Sequence, residues 1–434
     1  MMFEKYDAYK DSGVEWLGAI PEEWSIKPGL VAFSENKRSN KGMVRNTVLS
    51  LSYGKIIIKP EEKLVGLVPE SFETYQLVEP SDIIIRCTDL QNDQTSLRTG
   101  LAKDAGIITS AYLNLNVKQG FDSKYLHYYL HALDTTKVLY KLGSGLRQNL
   151  SFLDFKRLPV LDIALSEQKK ISSFLDQKTS EIDQAISIKV QQIALLNERK
   201  QIVIQKAVTQ GLDPNVQMKD SGVEWIGQIP EHWKVLKFKR ACQFIYDGTH
   251  GSYPRVEQGY RLLSVRNIID NEFVFREDDS CVSQKHFKEI SSKFLIRNDD
   301  IQLAIVGGTL GKAAIVKNLE EDIVTQRSLA TLRTQPKVLN PNFLLSFIRS
   351  PKYQNFLWSN AGFSAQPGVY LNTIQNSYLC MPCLKEQNLI TEYIESETTK
   401  FSYLIGNIKE QIEKLKEYKT TLINDAVTGK IKVA

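Results

Sequence analysis

The chain has 434 residues, 42% hydrophobic and 24% charged, and this length predicts two to four domains rather than one core. No run of eighteen apolar residues occurs, so no membrane span is expected. Residues 1–13 lack the apolar stretch of a signal peptide, and five scattered cysteines, an odd number, fit a reducing cytoplasm better than a disulfide framework.

In chain order, residues 10–24 read KDSGVEWLGAIPEEW, and residues 219–233 read KDSGVEWIGQIPEHW. The two strings differ at three positions and lie 209 residues apart, which marks a duplicated module rather than a short solenoid period. Residues 25–160 mix short β-rich runs (47–51, 82–85) with a helical piece near 125–139. Residues 161–211 carry apolar positions on a 4-3 spacing: Leu175, Ile182, Ile186, Ile193, Leu196, Val203 and Ala207, interrupted by Lys189 and Lys200. After the repeated segment 212–233, residues 234–383 again show β-rich runs (261–265, 300–306) and a helical piece near 342–358.

The last segment, 384–434, repeats the heptad seam at Ile394, Phe401, Ile405, Ile408, Ile412, Leu415, Leu422 and Ala426, with Lys419 interrupting it. Residues 165–211 and 384–430 align without a gap and share Leu165/Leu384, Glu167/Glu386, Gln168/Gln387 and an Ala-Val-Thr triplet. Sustained a/d patterning in both copies predicts a pair of long helices, each roughly 70 Å at 1.5 Å per residue, rather than two helices on a core. The expected class is α+β: a duplicated frame enclosing two variable domains that differ in sequence.

Charge follows the same division. Lysines plus arginines minus acids give 18 − 14 = +4 over residues 25–164 and 19 − 13 = +6 over 234–383, while the rest sums to −5. Two separate positive blocks suit two contacts with a phosphate backbone, although mild basicity is common without one.

Motifs that would carry catalysis fail in turn. Asn340-Pro341-Asn342-Phe343 approaches the Asn-Pro-Pro-aromatic motif of adenine methyltransferases, but lacks the second proline and a nucleotide loop before it; a helix entry after a proline turn fits better. Residues 306–312, VGGTLGK, miss the phosphate-loop spacing and read as a glycine-rich turn between strands. Cys380 and Cys383 have metal-ligand spacing without a second pair, and His127 and His131 lack the glutamate of a zinc helix, so they read as ordinary helix histidines. Glu417-Tyr418-Lys419 lies on a heptad helix, the wrong setting for a nuclease site.

The framework strings carry a resemblance. KDSGVEWLGAIPEEW, SEQKKISSFLDQKTSEIDQAI, AVTQGLDPNVQMKDSGVEWIGQIPEHW, LKEQNLITEYIESET and the closing NDAVTGKIKVA resemble the specificity subunit of type I restriction–modification enzymes, over the full chain in order and most strongly in the frame. The resemblance implies two α+β target-recognition domains related by a pseudo-two-fold duplication and separated by two long helices forming an antiparallel coiled coil. It implies that each domain reads one half of an interrupted duplex DNA site, with the helices setting the spacer. It also implies that the chain is non-catalytic and holds no cofactor. Two methylation subunits would bind S-adenosylmethionine, and restriction (translocase–nuclease) subunits would join the larger complex. An interaction scaffold that binds partners other than DNA is the alternative.

Candidate DNA contacts are polar residues in glycine-flanked loops. In the first domain they are Lys37, Arg38, Lys41 and Arg45, with Arg147 and Gln148 in the turn 143–148. In the second they are Tyr246, Thr249, His250, Ser252, Tyr253, Arg255, Arg266, Asn267, Lys312, Gln326, Arg327 and Gln366. Trp16, Trp24, Trp225 and Trp233 read as structural, packing each variable domain on the helix ends.

Overall fold

A computed structural model describes residues 3–60, 62, 71–93, 95–142, 149–363 and 366–433. The chain divides into two compact units, residues 1–189 with 409–434 and residues 190–408, so both long helices contribute to both units. These helices span Leu165–Gln210 and Leu384–Val427, 46 and 44 residues, close to the heptad segments. Among the described residues no helix is long and apolar enough to cross a membrane.

In the first unit the frame string folds as a hairpin, Tyr9–Asp11 against Ala19–Pro21. The next segment, Ser25–Pro28, pairs antiparallel with Pro159–Asp162, so the variable region leaves and re-enters the frame through one two-stranded ladder. Between them stands a four-stranded antiparallel sheet in the order Phe33–Glu35, Leu113–Val117, Ile83–Ile85, Thr99–Leu101. Helix Ser123–Thr135 starts at Asp122, whose carboxylate accepts from the Tyr125 N–H and caps it. Gly29 sits where a Cβ would lie 2.1 Å from the Phe155 carbonyl oxygen, so only glycine fits that approach.

The second unit repeats this plan with other residues. Met218–Asp220 pairs with Gln228–Pro230, and Lys234–Lys237 pairs with Tyr378–Met381. Its main sheet has the order Cys242–Asp247, Leu329–Thr334, Ile301–Ala304, Ala313–Ile315, all antiparallel. The two variable regions, unlike in sequence, therefore share one strand order. The helical piece near 342–358 is two helices, Pro341–Ile348 and Pro351–Ser359. Pro351 lacks an N–H and crowds the preceding turn, which ends the first and starts the second.

The helix pairing is antiparallel within each unit. In the first, Lys189 Nζ donates to Gln411 (2.5 Å) and Lys419 Nζ to Asp183 (2.7 Å), so partner numbers fall on one helix as they rise on the other. Ile171, Leu175, Ile182, Leu422, Ala426 and Val427 are buried together there. In the second, Ile204, Ala207 and Val208 share a core with Ile390 and Ile394. Two of the lysines that interrupt the heptads thus end in polar partners. Lys200 instead lies half-buried near Arg349, and burial lowers its ammonium's affinity for its proton.

The framework tryptophans are structural. Trp24 and Trp233 are almost fully buried, Trp16 lies against Tyr129, and Trp225 stacks on Phe356 at 4.9 Å. Gln168 and Gln387, one at each helix start, make matching bonds. Gln168 accepts from the Asp122 N–H (2.8 Å) and donates to the Ile163 carbonyl (2.9 Å). Gln387 accepts from the Asn340 N–H (2.8 Å) and donates to the Pro382 carbonyl (3.0 Å). A buried amide satisfied at both ends ties each variable region to its long helix.

Candidate nucleic-acid interface

In the first unit two of the basic candidates, Arg38 and Arg45, converge on two acids. Asp82 is buried at the start of a core strand; it accepts from the Glu79 N–H (2.9 Å) and from the amides of Asn114 and Asn116. Burial raises its pKa above the usual carboxylate value, and these bonds offset part of that rise. Arg38 reaches Asp82 (3.2 Å) and Glu79 (3.7 Å), while Arg45 reaches Glu79 (2.7 Å) and the Val78 carbonyl (3.0 Å). Hydrogen bonding to Arg45 holds the Glu79 carboxyl below its ordinary value. Lys37 pairs with Glu35 at 3.2 Å, and Lys41 is exposed beside them in sequence. The two arginines are thus pre-oriented by carboxylates, and a phosphate would have to compete for them. Arg147 and Gln148 lie outside the described residues.

Sequence reasoning passed over Arg98, which organises residues 86–93. Its side chain is fully buried and donates to Tyr140 Oη (3.0 Å) and to the carbonyls of Thr88 (2.8 Å), Asp89 (3.2 Å) and Asp93. Residues 86–93 wrap around one guanidinium, and Asp89 N–H donates to the Asn149 side-chain oxygen at 3.0 Å. Nothing in the local string LRTG separates a buried arginine from a surface one.

In the second unit the largest group of candidates is brought together by the end of strand Cys242–Asp247. Thr249 N–H donates to the Thr325 carbonyl (2.8 Å), and Arg327 N–H donates to the Thr249 carbonyl (3.0 Å). This sets Tyr246, Thr249, His250, Gln326 and Arg327 on neighbouring chain segments. Gly248 permits the approach, because a Cβ there would lie 2.3 Å from the Thr325 oxygen. Tyr246 is partly exposed and stacks on Phe244 and Phe294. His250 pairs with Asp247 at 2.5 Å, Tyr253 donates to Glu289 at 3.1 Å, and Arg255 donates to the Tyr253 carbonyl. Ser252 is exposed on the same loop.

Lys312 and Gln366 belong to a second group. Lys312 is exposed at the end of the glycine-rich turn, which joins strands Ile301–Ala304 and Ala313–Ile315. Gly307 N–H in that turn donates to the carbonyl of Pro367, the neighbour of Gln366. A third group holds one buried and one exposed residue. Asn267 is fully buried, with its amide donating to the Val274 carbonyl (3.0 Å) and Asp279 (2.9 Å) and its oxygen accepting from Ser264 N–H. Asn267 closes a turn and is corrected from DNA contact to scaffold. Arg266 beside it is partly exposed and held by Asp278 and Asp279.

The discounted motifs are explained by local structure. Asn340 caps the helix Pro341–Ile348 through its side-chain oxygen. Cys380 is buried with its Sγ on the Val208 carbonyl (3.5 Å), whereas Cys383 is exposed. His127 and His131 are half-buried on their helix, and burial depresses both, to about 3 and about 4. Glu417 to Lys419 sit on the long helix, with Lys419 bound to Asp183.

Comparison with known proteins supplies the rest. No family model matches the chain. The MjaVIII type I restriction enzyme specificity subunit of Methanocaldococcus jannaschii is 25% identical over 334 residues, 76% of this chain and 75% of that one. The EcoBI specificity subunit of Escherichia coli is 26% identical over 251 residues, 53% of this chain and 49% of that one. Among solved structures, a chain from work on complex assembly and conformational transition of the type I R-M system aligns with a TM-score of 0.69 and 14% identity, covering 94% of this chain and 98% of that one. The HsdS subunit of Thermoanaerobacter tengcongensis aligns with a TM-score of 0.54 and 15% identity, covering 97% and 100%. The structures carry the fold, and in sequence this chain is similar to a type I restriction enzyme specificity subunit over three quarters of its length.

Proposed function

We propose that each variable region reads one half of an interrupted duplex DNA site and that the two long helices fix the unread spacer between the halves. The observation that supports this most directly is the duplication itself: two units share a frame and a strand order, yet carry different loops at the same places. A common scaffold with exchanged loops is what two readers of different sequences require, since phosphate contacts position a protein and base-edge contacts specify. The chain acts as the non-catalytic, cofactor-free recognition subunit. Methyl transfer from S-adenosylmethionine falls to two methylation subunits docked on it, and restriction subunits complete the assembly. The basic groups around Arg38 and Arg45, and the loop 246–255 with Gln326 and Arg327, are the proposed contact surfaces.

The test is duplex binding by the chain assembled with its methylation subunits, over a salt series. Binding to one interrupted sequence that weakens steeply with salt, against much weaker binding to scrambled duplex, is expected. Equal affinity for all duplexes, or none, would favour the interaction-scaffold reading.

A further inference from the structure

Behind the loop 247–253 of the second unit lies a cavity of about 240 Å³. It is smaller than the roughly 300 Å³ at which sites for drug-sized molecules begin, which suits a single ring system. Its floor is apolar, with Ile296, Ile323 and Val324 buried, and Phe294 forms part of its wall. Thr325 lines it too, and its hydroxyl oxygen is buried without a hydrogen-bond partner. An unpaired buried hydroxyl is unfavourable, so a ligand that reached it would recover a bond the fold leaves unmade.

The rim is rich in acceptors. Asp247 receives His250 through Oδ2, and Glu289 receives the Tyr253 hydroxyl through Oε1. The other oxygen of each carboxylate has no hydrogen bond among the described residues. A flat apolar slot, an aromatic wall and two carboxylate oxygens at the edge match a heteroaromatic ring that carries an amino group. A phosphate would be repelled by both acids.

We propose that this cavity binds one amino-bearing nucleobase, cytosine, adenine or guanine, taken out of the stack of bound DNA. The presentation by DNA rests on the reading given under Proposed function; the ring chemistry does not. Thymine has no amino group to offer the two carboxylates and is excluded. A free nucleoside would present the same edge, so the experiment separates the two sources.

The full chain with its methylation subunits is mixed with its duplex site, carrying 2-aminopurine next to each base of the half-site in turn. Extrusion unstacks the reporter, and a several-fold rise in its emission is expected beside one base only. Glu289→Gln and Thr325→Val, which keep side-chain size, should abolish most of that rise. They should also weaken duplex binding about tenfold and about fivefold. In parallel, deoxyadenosine, deoxycytidine and thymidine are offered at millimolar concentration with ligand-detected NMR. Binding of the first two alone, lost in Glu289→Gln and without any emission change on the duplex, assigns the cavity to a free nucleoside. Duplex binding with flat emission at every position and no nucleoside bound overturns the proposal and leaves the DNA reading intact. Absence of duplex binding overturns the DNA reading, and the nucleoside result alone then decides the cavity.

Discussion

Acid should loosen the first unit through His127 and His131. Both lie half-buried on helix Ser123–Thr135, and the His127 Nε2 atom is buried with no hydrogen-bond partner among the described residues. Burial and their mutual repulsion depress the His127 pKa to about 3, and burial depresses that of His131 to about 4, against an ordinary 6.5. The folded state therefore holds both rings neutral, while the unfolded chain takes up protons below pH 6.5. Stability from this pair is whole above that value and is lost as pH falls from 6.5 towards 3. At pH 5 the gap is about 1.5 pH units for each ring. At about 1.4 kcal/mol per unit this costs about 2 kcal/mol each, and about 1 kcal/mol each after allowance for partial exposure. Asp82 and Asp134, raised by burial, work in the opposite direction in any variant that keeps them.

The assay is urea unfolding at pH 8 and pH 5, for the parent and for a variant carrying His127→Gln and His131→Gln. Amide hydrogen exchange over 123–135 assigns the change to this helix. The variant should start less stable at pH 8 and lose about 2 kcal/mol less than the parent on acidification. An equal loss in both proteins would refute the argument from buried neutral imidazoles.

Other substitutions follow from single contacts. Glu79→Gln removes the acid that Arg45 and Arg38 share, so duplex binding should tighten a few-fold with a steeper salt slope, read by titration at 50 and 200 mM salt. Asn267→Ala strands the groups its amide now joins and should cost about 2–3 kcal/mol in a denaturant melt, with DNA discrimination lost only through unfolding. Gly29→Ala drives a methyl into the Phe155 carbonyl and should cost at least about 2 kcal/mol. Four residues inserted after Lys200 add about 6 Å of helix, which approximates two base pairs. Methylation-site sequencing should show the spacer lengthened by one or two base pairs with both half-sites kept.

The architecture was legible because framework and helices write themselves in periodic, repeated residues. The 4-3 seams located both long helices to within a few residues, while the string around Trp24 and Trp233 marked the duplicated frame but not its hairpins. The common sheet was not legible. Ile83–Ile85 and Ile301–Ala304 occupy the same place in the strand order with unrelated neighbours, and a core strand needs only apolar bulk, not particular residues. The candidate site was legible only as loop polarity, which singled out Tyr246, Thr249 and His250; the fold places these beside Gln326 and Arg327. Polarity also proposed Asn267, because a buried turn-closing amide and an exposed one look alike in sequence. It missed Arg98, whose partners are mostly backbone carbonyls, and carbonyls leave no trace in composition.

Independent reading by the two variable regions is tested most directly by exchanging residues 25–160 for the equivalent region of a related specificity subunit with a different target. The hybrid is expressed with the methylation subunits, and every methylated site in the genome is mapped. One half of the interrupted target should change to that of the donor while the other half and the spacer stay as they were. A change in both halves together, or a target identical to the parent's, would contradict the division of reading between the two regions.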